Sequence, residues 1–266
     1  MDTNLAAVLC LAFIINAIGA LAYAARIAGV RTGRIAMSFA LFNVLLLVSR
    51  LSNGFLAPLV AKRVENGLAA QATVHLETDF RLILLAAFLG VLFGLVLVPT
   101  AQRLFARAIA AVQPRQSLAK TLLRGISPGG LRMLRTSISI PARASIGKAK
   151  PHELTWSMLT ANCVAQALLV VGVFASLYAG HLDPDYRVTA SQLSAVVNGF
   201  ATILLFLFID PHLSVLTDDV VDGNLSEPNF RRVIAWISLS RLAGTLLAQV
   251  LFLPAAIAIA WLANLI

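Results

Sequence analysis

Charge is what this chain has least of. Only 12% of its 266 residues are Asp, Glu, Lys or Arg, against about a quarter in an ordinary soluble domain. With 59% hydrophobic residues and a mean hydropathy of +0.86, there is too little polar surface to wrap a core in water. The two cysteines, Cys10 and Cys163, both fall inside apolar runs, which excludes a disulfide framework and a cysteine metal site. The four histidines are scattered rather than set at metal-binding spacing. There is no Walker loop, no glycine-rich dinucleotide turn after a strand and no nucleophile elbow, so ordinary soluble-enzyme chemistry has no foothold. Nucleic acid is excluded as a partner too, because the basic stretch lacks the aromatic residues that stack on bases. Ahead of the first apolar run, Met1 to Asn4 carries an acid and no base, so that run lacks the start of a cleavable signal peptide and is expected to stay as an anchor.

What is present is a set of apolar runs long enough to cross a hydrocarbon layer about 30 Å thick. They cover Leu5 to Ala25, Ile35 to Ala61, Leu82 to Gln102, Leu154 to Gly180, Val188 to Ile209 and Val233 to Ile266. The fold expected is all-α: a polytopic membrane bundle of about six transmembrane helices. A polar loop is expected over 64–80. A helix end or kink is expected at Asp210-Pro211, where proline lacks a donor, and a tilt or bend at Pro254. Between the third and fourth spans, Arg103 to Lys150 holds ten Lys or Arg and no acid. SLAKTLLRG (117–125) and LRMLRTSISI (131–140) alternate bases with leucines there, as an amphipathic helix on an anionic membrane face would. A plain basic cytoplasmic loop is the alternative.

Orientation follows from the bases, because short cytoplasmic loops are rich in Lys and Arg. Placing the connections after spans one, three and five inside puts fifteen bases there and leaves only Lys62, Arg63, Arg81 and Arg187 outside. Both termini then face outward. The expected division is a three-helix half over 1–102, a basic cytoplasmic loop over 103–153 and a second three-helix half over 154–266, all one membrane domain. Oppositely oriented halves are the layout of inverted-repeat transporters. Gly90 and Gly94 have the spacing that lets helices approach closely, within one chain or across a homodimer.

Polar residues inside the spans carry the functional argument. Ser49, Arg50, Ser52 and Asn53 interrupt the second run, and Ser240-Arg241 interrupts the sixth. SRLSNGFLAP (49–58) and SRLAGTLLAQ (240–249) match at Ser, Arg, Leu and again at Leu and Ala. By helix rise Arg50 lies about 24 Å beyond Arg34, and an arginine at bilayer depth costs at least ~2.5 kcal/mol on insertion scales. Each arginine could snorkel to headgroups or pair with Asp210. Together they point to a polar cavity whose guanidinium forks suit the oxygens of a diphosphate. Separately, Asp218-Asp219-Val-Val-Asp222 has the DDxxD spacing that holds Mg²⁺ against a diphosphate in prenyl-transferring enzymes. Its only companion cluster, Asp183 and Asp185, falls on the opposite side of the membrane. A solvated acidic turn, or one paired with Arg231 and Arg232, is the plainer reading. A non-transporting scaffold for envelope assembly is a third class.

Four stretches carry a likeness: LAYAARIAGVRTGRIAMSFALFNVLLLVSRLSN (21–53), APLVAKRVE (57–65), DPHLSVLTDDVV (210–221) and FRRVIAWISLSRLAGTLLAQ (230–249). Together they closely resemble the Amj family of bacterial lipid II flippases, the alternates to the unrelated MurJ transporters. The resemblance implies translocation of an undecaprenyl-diphosphate-linked peptidoglycan precursor from the inner to the outer leaflet of the bacterial cytoplasmic membrane. The partners implied are lipid II, or a related polyprenyl-diphosphate-linked glycan, and membrane lipids. No cofactor or metal is expected. The likeness brings no list of functional residues, so the expected substrate contacts come from the residues themselves. Arg26, Arg31 and Arg34 would gather the headgroup, and Arg241 and then Arg50, with Ser49, Asn53 and Ser240, would receive the diphosphate. Asp210, Asp218, Asp219 and Asp222 are the candidate charge partners.

Overall fold

The computed structural model describes residues 3–69, 75–111, 136–139 and 154–266, and every regular element among them is helical. In order these are α1 (Thr3–Thr32), α2 (Ile35–Ala69), α3 (Leu76–Ala111), α4 (Trp156–Leu182), α5 (Arg187–Leu204), a π-helical turn (Leu205–Ile209), α6 (Asp210–Val221) and α7 (Glu227–Leu265). Because α5, the π turn and α6 run on without a break, the described residues contain six helical segments long and apolar enough to cross a membrane. The protein is a multi-pass membrane protein. Most of the basic stretch 103–153, including 117–125 and six of the ten residues 131–140, lies outside the described residues. Within it, 136–139 docks on α3, where Arg107 donates to Thr136 and Ser137 at 2.7 and 2.9 Å.

Small residues decide which helices stand in the middle. The buried positions of α1 include Ala12, Ala17, Gly19, Ala20, Ala22, Ala24 and Ala25, and those of α4 include Ala165, Ala167, Gly172, Ala175, Ala179 and Gly180. Without a hydrophobic force between helices in lipid, close backbone approach at such residues drives association. Accordingly α1 packs between α2 and α3, and α4 packs between α5 and α7. A Cβ on Gly90 would lie 2.3 Å from the Phe13 carbonyl oxygen, and one on Gly94 would lie 2.8 Å from that of Ala17. In the second half Gly244 plays the same part against α4, where a Cβ would lie 2.4 Å from the Cys163 carbonyl oxygen. The Gly90/Gly94 pair is thus used inside the chain, between α1 and α3. The halves meet mainly where α3 runs along α7 and α2 touches α4.

Two apolar clusters stack end to end through the bundle. One joins the N-terminal part of α1, the end of α2, the start of α3, the end of α4, the start of α5 and the C-terminal part of α7, around Phe80, Phe174, Tyr178 and Phe252. The other joins the end of α1, the start of α2, the starts of α4 and α7, and α6, around Tyr23, Phe42, Phe230 and Ile237. Both chain ends and the α2–α3 and α4–α5 connections therefore share one end of the bundle.

Two connections differ from the sequence expectation. Most of the described part of 64–80 is helix: α2 continues to Ala69 and α3 starts at Leu76. Val64 and Leu76 are buried in the first cluster, and Arg63 bridges to Asp79 at 2.6 Å, so core packing and an ion pair extend both helices. The fifth span does not end at Asp210-Pro211 either. Pro211 cannot donate to a carbonyl one turn back, and the chain absorbs the lost bond with a π turn, in which the Asp210 N–H reaches the Leu205 carbonyl. It then stays helical to Val221. Gly223, at φ 80°, closes that helix in the left-handed region that glycine occupies without steric cost. The Asn224 and Leu225 N–H groups can then reach the Asp219 carbonyl at 2.8 and 3.0 Å.

Candidate functional site: a cationic cavity between the halves

A cavity of about 390 Å³ lies where the two apolar clusters meet. Its walls come from α1 (Asn16, Gly19, Tyr23), α2 (Ser49, Arg50, Asn53), α4 (Gln166), α5 and the π turn (Asn198, Thr202, Phe206), Asp210 and Arg241 of α7. Arg50 stands about 22 Å from the start of α2 and 28 Å from its end by helix rise. The site is therefore far from either end of the bundle.

The two arginines singled out by the sequence line this one cavity from separate spans. Arg241 is drawn in at the back, where its guanidinium lies beside the Tyr23 hydroxyl and its Nε is buried without a hydrogen-bond partner. Room for it comes from Gly19: a Cβ there would lie 2.5 Å from Arg241 Nη2 and 3.4 Å from Ser49 Oγ. Ser49 is itself fixed, donating to the Ile15 carbonyl at 3.2 Å. Arg50 is exposed, with its guanidinium carbon 5.4 Å from the centre of the Phe206 ring. An exposed arginine beside an aromatic face keeps its charge solvated and its stem packed.

Asp210 closes one wall, with Arg26 behind it. Arg26 Nη2 donates to Asp210 Oδ1 at 3.0 Å, and the guanidinium carbon lies 4.9 and 4.5 Å from the ring centres of Phe39 and Phe42. Here a sequence expectation is corrected. Arg26 does not stand at the headgroup surface, being only 3% exposed, because two phenyl rings and a carboxylate hold it inside. Its Nε and Nη1 are buried without partners. Asp210, which the sequence offered as a partner for Arg50 or Arg241, pairs instead with an arginine of the first helix, although Arg50 also acts on it electrostatically.

The remaining candidates lie elsewhere. Arg31 pairs with Glu227 at 2.8 Å and Arg34 donates to the Ile109 carbonyl at 2.9 Å, both at the bundle end formed by the α1–α2 turn. Ser240 receives Asn162 Nδ2 at 2.5 Å and donates to the Ile237 carbonyl at 2.9 Å, so it ties α4 to α7 and is not part of the wall. Asp218, Asp219 and Asp222 cap the end of α6, away from the cavity. Asp183 and Asp185 follow α4 at the opposite end of the bundle, where Asp183 accepts from Asn264. Among the described residues no group of three or more His, Cys, Asp or Glu gathers as metal ligands would. Gln166, one of two amides inside the fourth span, also belongs to the wall, as do Gly19, Tyr23 and Asn198, which the sequence did not single out. For the amides a signal was available, since a polar side chain in mid-span usually faces a bundle interior.

Between α2 and the fifth span the cavity wall is thin, crossed by the contact of Arg50 with the Phe206 ring. The lining includes residues of both α2 and α5, yet those two helices make at most glancing contact with each other. The spans they belong to are also the least buried: 22% of the most apolar part of α2 and 17% of that of the fifth span, Arg187–Val221, against 44% for α1 and 50% for α4. Leu47, Leu51 and Phe55 of α2 and Phe200, Ile203 and Leu207 of the fifth span face outward on either side of this wall.

A bundle of six membrane-length helices with an arginine-lined cavity far from either end belongs to the class of polytopic membrane proteins. Residues 11–263 match the family described as Alternate to MurJ, Amj. The chain is also 33% identical over 263 residues to the lipid II flippase Amj of Bacillus subtilis strain 168, covering 98% of this chain and 97% of that protein. This chain belongs to the Amj family. No solved structure matches it.

Proposed function

We propose that this chain is a lipid II flippase, a transporter rather than an enzyme. It carries the peptidoglycan precursor, linked to a polyprenyl diphosphate, from the inner to the outer leaflet of the bacterial cytoplasmic membrane. The observation that carries the reading is the pair of guanidinium groups, Arg50 and Arg241, facing one crevice from two spans with Ser49 and Asn53 beside them. A diphosphate headgroup cannot enter hydrocarbon unaided, because its oxygens lose water without replacement. Charge-assisted N–H donors supply the replacement.

The cavity volume of about 390 Å³ falls in the range of pockets for small ligands, roughly 300 to 1,000 Å³. That is enough for a diphosphate and adjoining sugar atoms, with the polyprenyl tail left in lipid along the gap between α2 and α5. Positive charge at the α1–α2 turn, and the basic composition of the chain between α3 and α4, supports reading that end as cytoplasmic. Arg31 and Arg34 then gather the headgroup at the inner leaflet, Arg241 and Arg50 receive the diphosphate, and both termini face outward.

Charge-removing substitution at both arginines, in a cell that depends on this protein alone, tests the reading. Arg50→Gln with Arg241→Gln is expected to abolish growth at normal expression. Full growth would end it.

A further inference from the structure

The charges around the cavity do not cancel, and their sum matches one kind of ligand. Among the lining residues the ionised side chains are Arg50, Arg241 and Asp210. Arg26 lies directly behind Asp210 at 3.0 Å. Three guanidinium groups and one carboxylate leave two positive charges. Asp210 is built to hold its place: it is the first residue after a π turn, a feature that re-aims a helix side chain and recurs at functional sites. A buried arginine with two unpartnered nitrogens stands behind it. For binding an anion as tightly as possible, an acid there is counterproductive. For binding an anion of one charge in preference to another, it is useful.

We propose that Asp210 is a specificity-determining residue that sets the cavity to two positive charges. The cavity then favours a diphosphate diester over a diphosphate monoester. This rests on the flippase reading above and adds the rule by which the cargo is told from its close relatives. A diphosphate esterified at both ends has one ionised oxygen on each phosphorus, hence two negative charges. A lipid diphosphate with a free terminal phosphate carries part or all of a third, because the second ionisation of a phosphate falls near pH 6.

In a chamber far from either end of the bundle an uncompensated charge is disfavoured. The diester leaves the chamber neutral, whereas the monoester leaves it negative beside the Asp210 carboxylate. The glycan-bearing lipid is a diester, and the lipid that remains once its glycan has been transferred is a monoester. A transporter that must carry the first without carrying back the second gains from such a filter.

The test measures the affinities of a polyprenyl diphosphate monoester and a glycosylated polyprenyl diphosphate diester for the full chain in nanodiscs, at low salt. Wild type is expected to favour the diester. Asp210→Asn raises the cavity to three positive charges and is expected to shift the ratio toward the monoester by on the order of tenfold. Arg50→Gln lowers the charge and is expected to move the ratio the other way while weakening both ligands, and Asp210→Glu keeps the charge and the wild-type ratio. Should the asparagine variant fail to insert, the direction of the Arg50→Gln change and the wild-type preference decide the matter. A wild type that binds both lipids equally, or a ratio that charge changes leave untouched, overturns the inference alone. A wild type that binds neither overturns the flippase reading with it.

Discussion

Arg26 is held by three groups of different chemistry, the Asp210 carboxylate and the faces of Phe39 and Phe42. Arg26 is 3% exposed and Asp210 28%, so removing Arg26 leaves a part-buried carboxylate without its partner, at a cost below the roughly 3 to 5 kcal/mol of a fully buried pair. Arg31 and Glu227 form a shorter pair at 2.8 Å, but both side chains are about one-third exposed, and water screens such a pair to less than about 1 kcal/mol. Arg26→Gln is therefore expected to lower the thermal midpoint of the detergent-solubilised protein by several degrees, and Arg31→Gln by little. Equal shifts in a melting experiment would contradict the burial described.

At this scale the sequence was legible where one residue broke a rule by itself. Arg50 and Arg241 stood out because arginine in an apolar run is costly wherever the helix lies, and the cavity does join them. The Arg26–Asp210 pair was hidden for a different reason. Its members are 184 positions apart, and only the docking of the two halves brings them together.

Between elements, glycine does most of the positioning, and its neighbours say where it is needed. Cβ atoms on Gly90 and Gly244 would meet backbone carbonyl oxygens of α1 and α4 at 2.3 and 2.4 Å, which cannot turn aside as a flexible side chain can. Overpacking of this kind costs about 1 to 3 kcal/mol or more. Gly54 borders the cavity, and an added Cβ there would find nothing within 4 Å. Gly90→Leu and Gly244→Leu are expected to destabilise the bundle, seen as early melting and proteolysis of the inserted protein, whereas Gly54→Ala leaves both unchanged. Destabilisation at Gly54 matching that at Gly90 would count against the packing.

The Gly90/Gly94 spacing was readable as a packing motif, but not which helix it meets, since the spacing says only that something comes close. The helix through Pro211 was not readable. A proline in an apolar run signals lost hydrogen bonding, and whether the chain ends, kinks or takes a π turn depends on what packs around it. Here Ile209 and Leu213, on either side of the proline, are buried in the second cluster and keep the helix going.

For the molecule as a whole, the two halves share one internal order, with the first helix in the middle and the second at the periphery. The peripheral helices, α2 and α5, both line the cavity and flank the opening on the proposed path. Transport through that opening requires them to part or stay parted, whereas α1 and α3 are locked by glycine contacts. A short covalent tether between cysteines placed on the facing sides of α2 and α5 is expected to stop translocation and to release it on cleavage. A tether between α1 and α3 is expected to have no effect. Transport surviving the first tether would place the path elsewhere.

On the proposed mechanism Arg50 and Arg241 together replace the water a lipid diphosphate loses in crossing. This is tested most directly with the purified chain in sealed vesicles loaded with lipid II, by following how fast the headgroup becomes accessible to an impermeant reagent on the far side. The account predicts rapid access with the wild-type chain and a return to the protein-free rate with Arg50→Gln and Arg241→Gln combined, at equal incorporation. Wild-type rates in the double variant would contradict it.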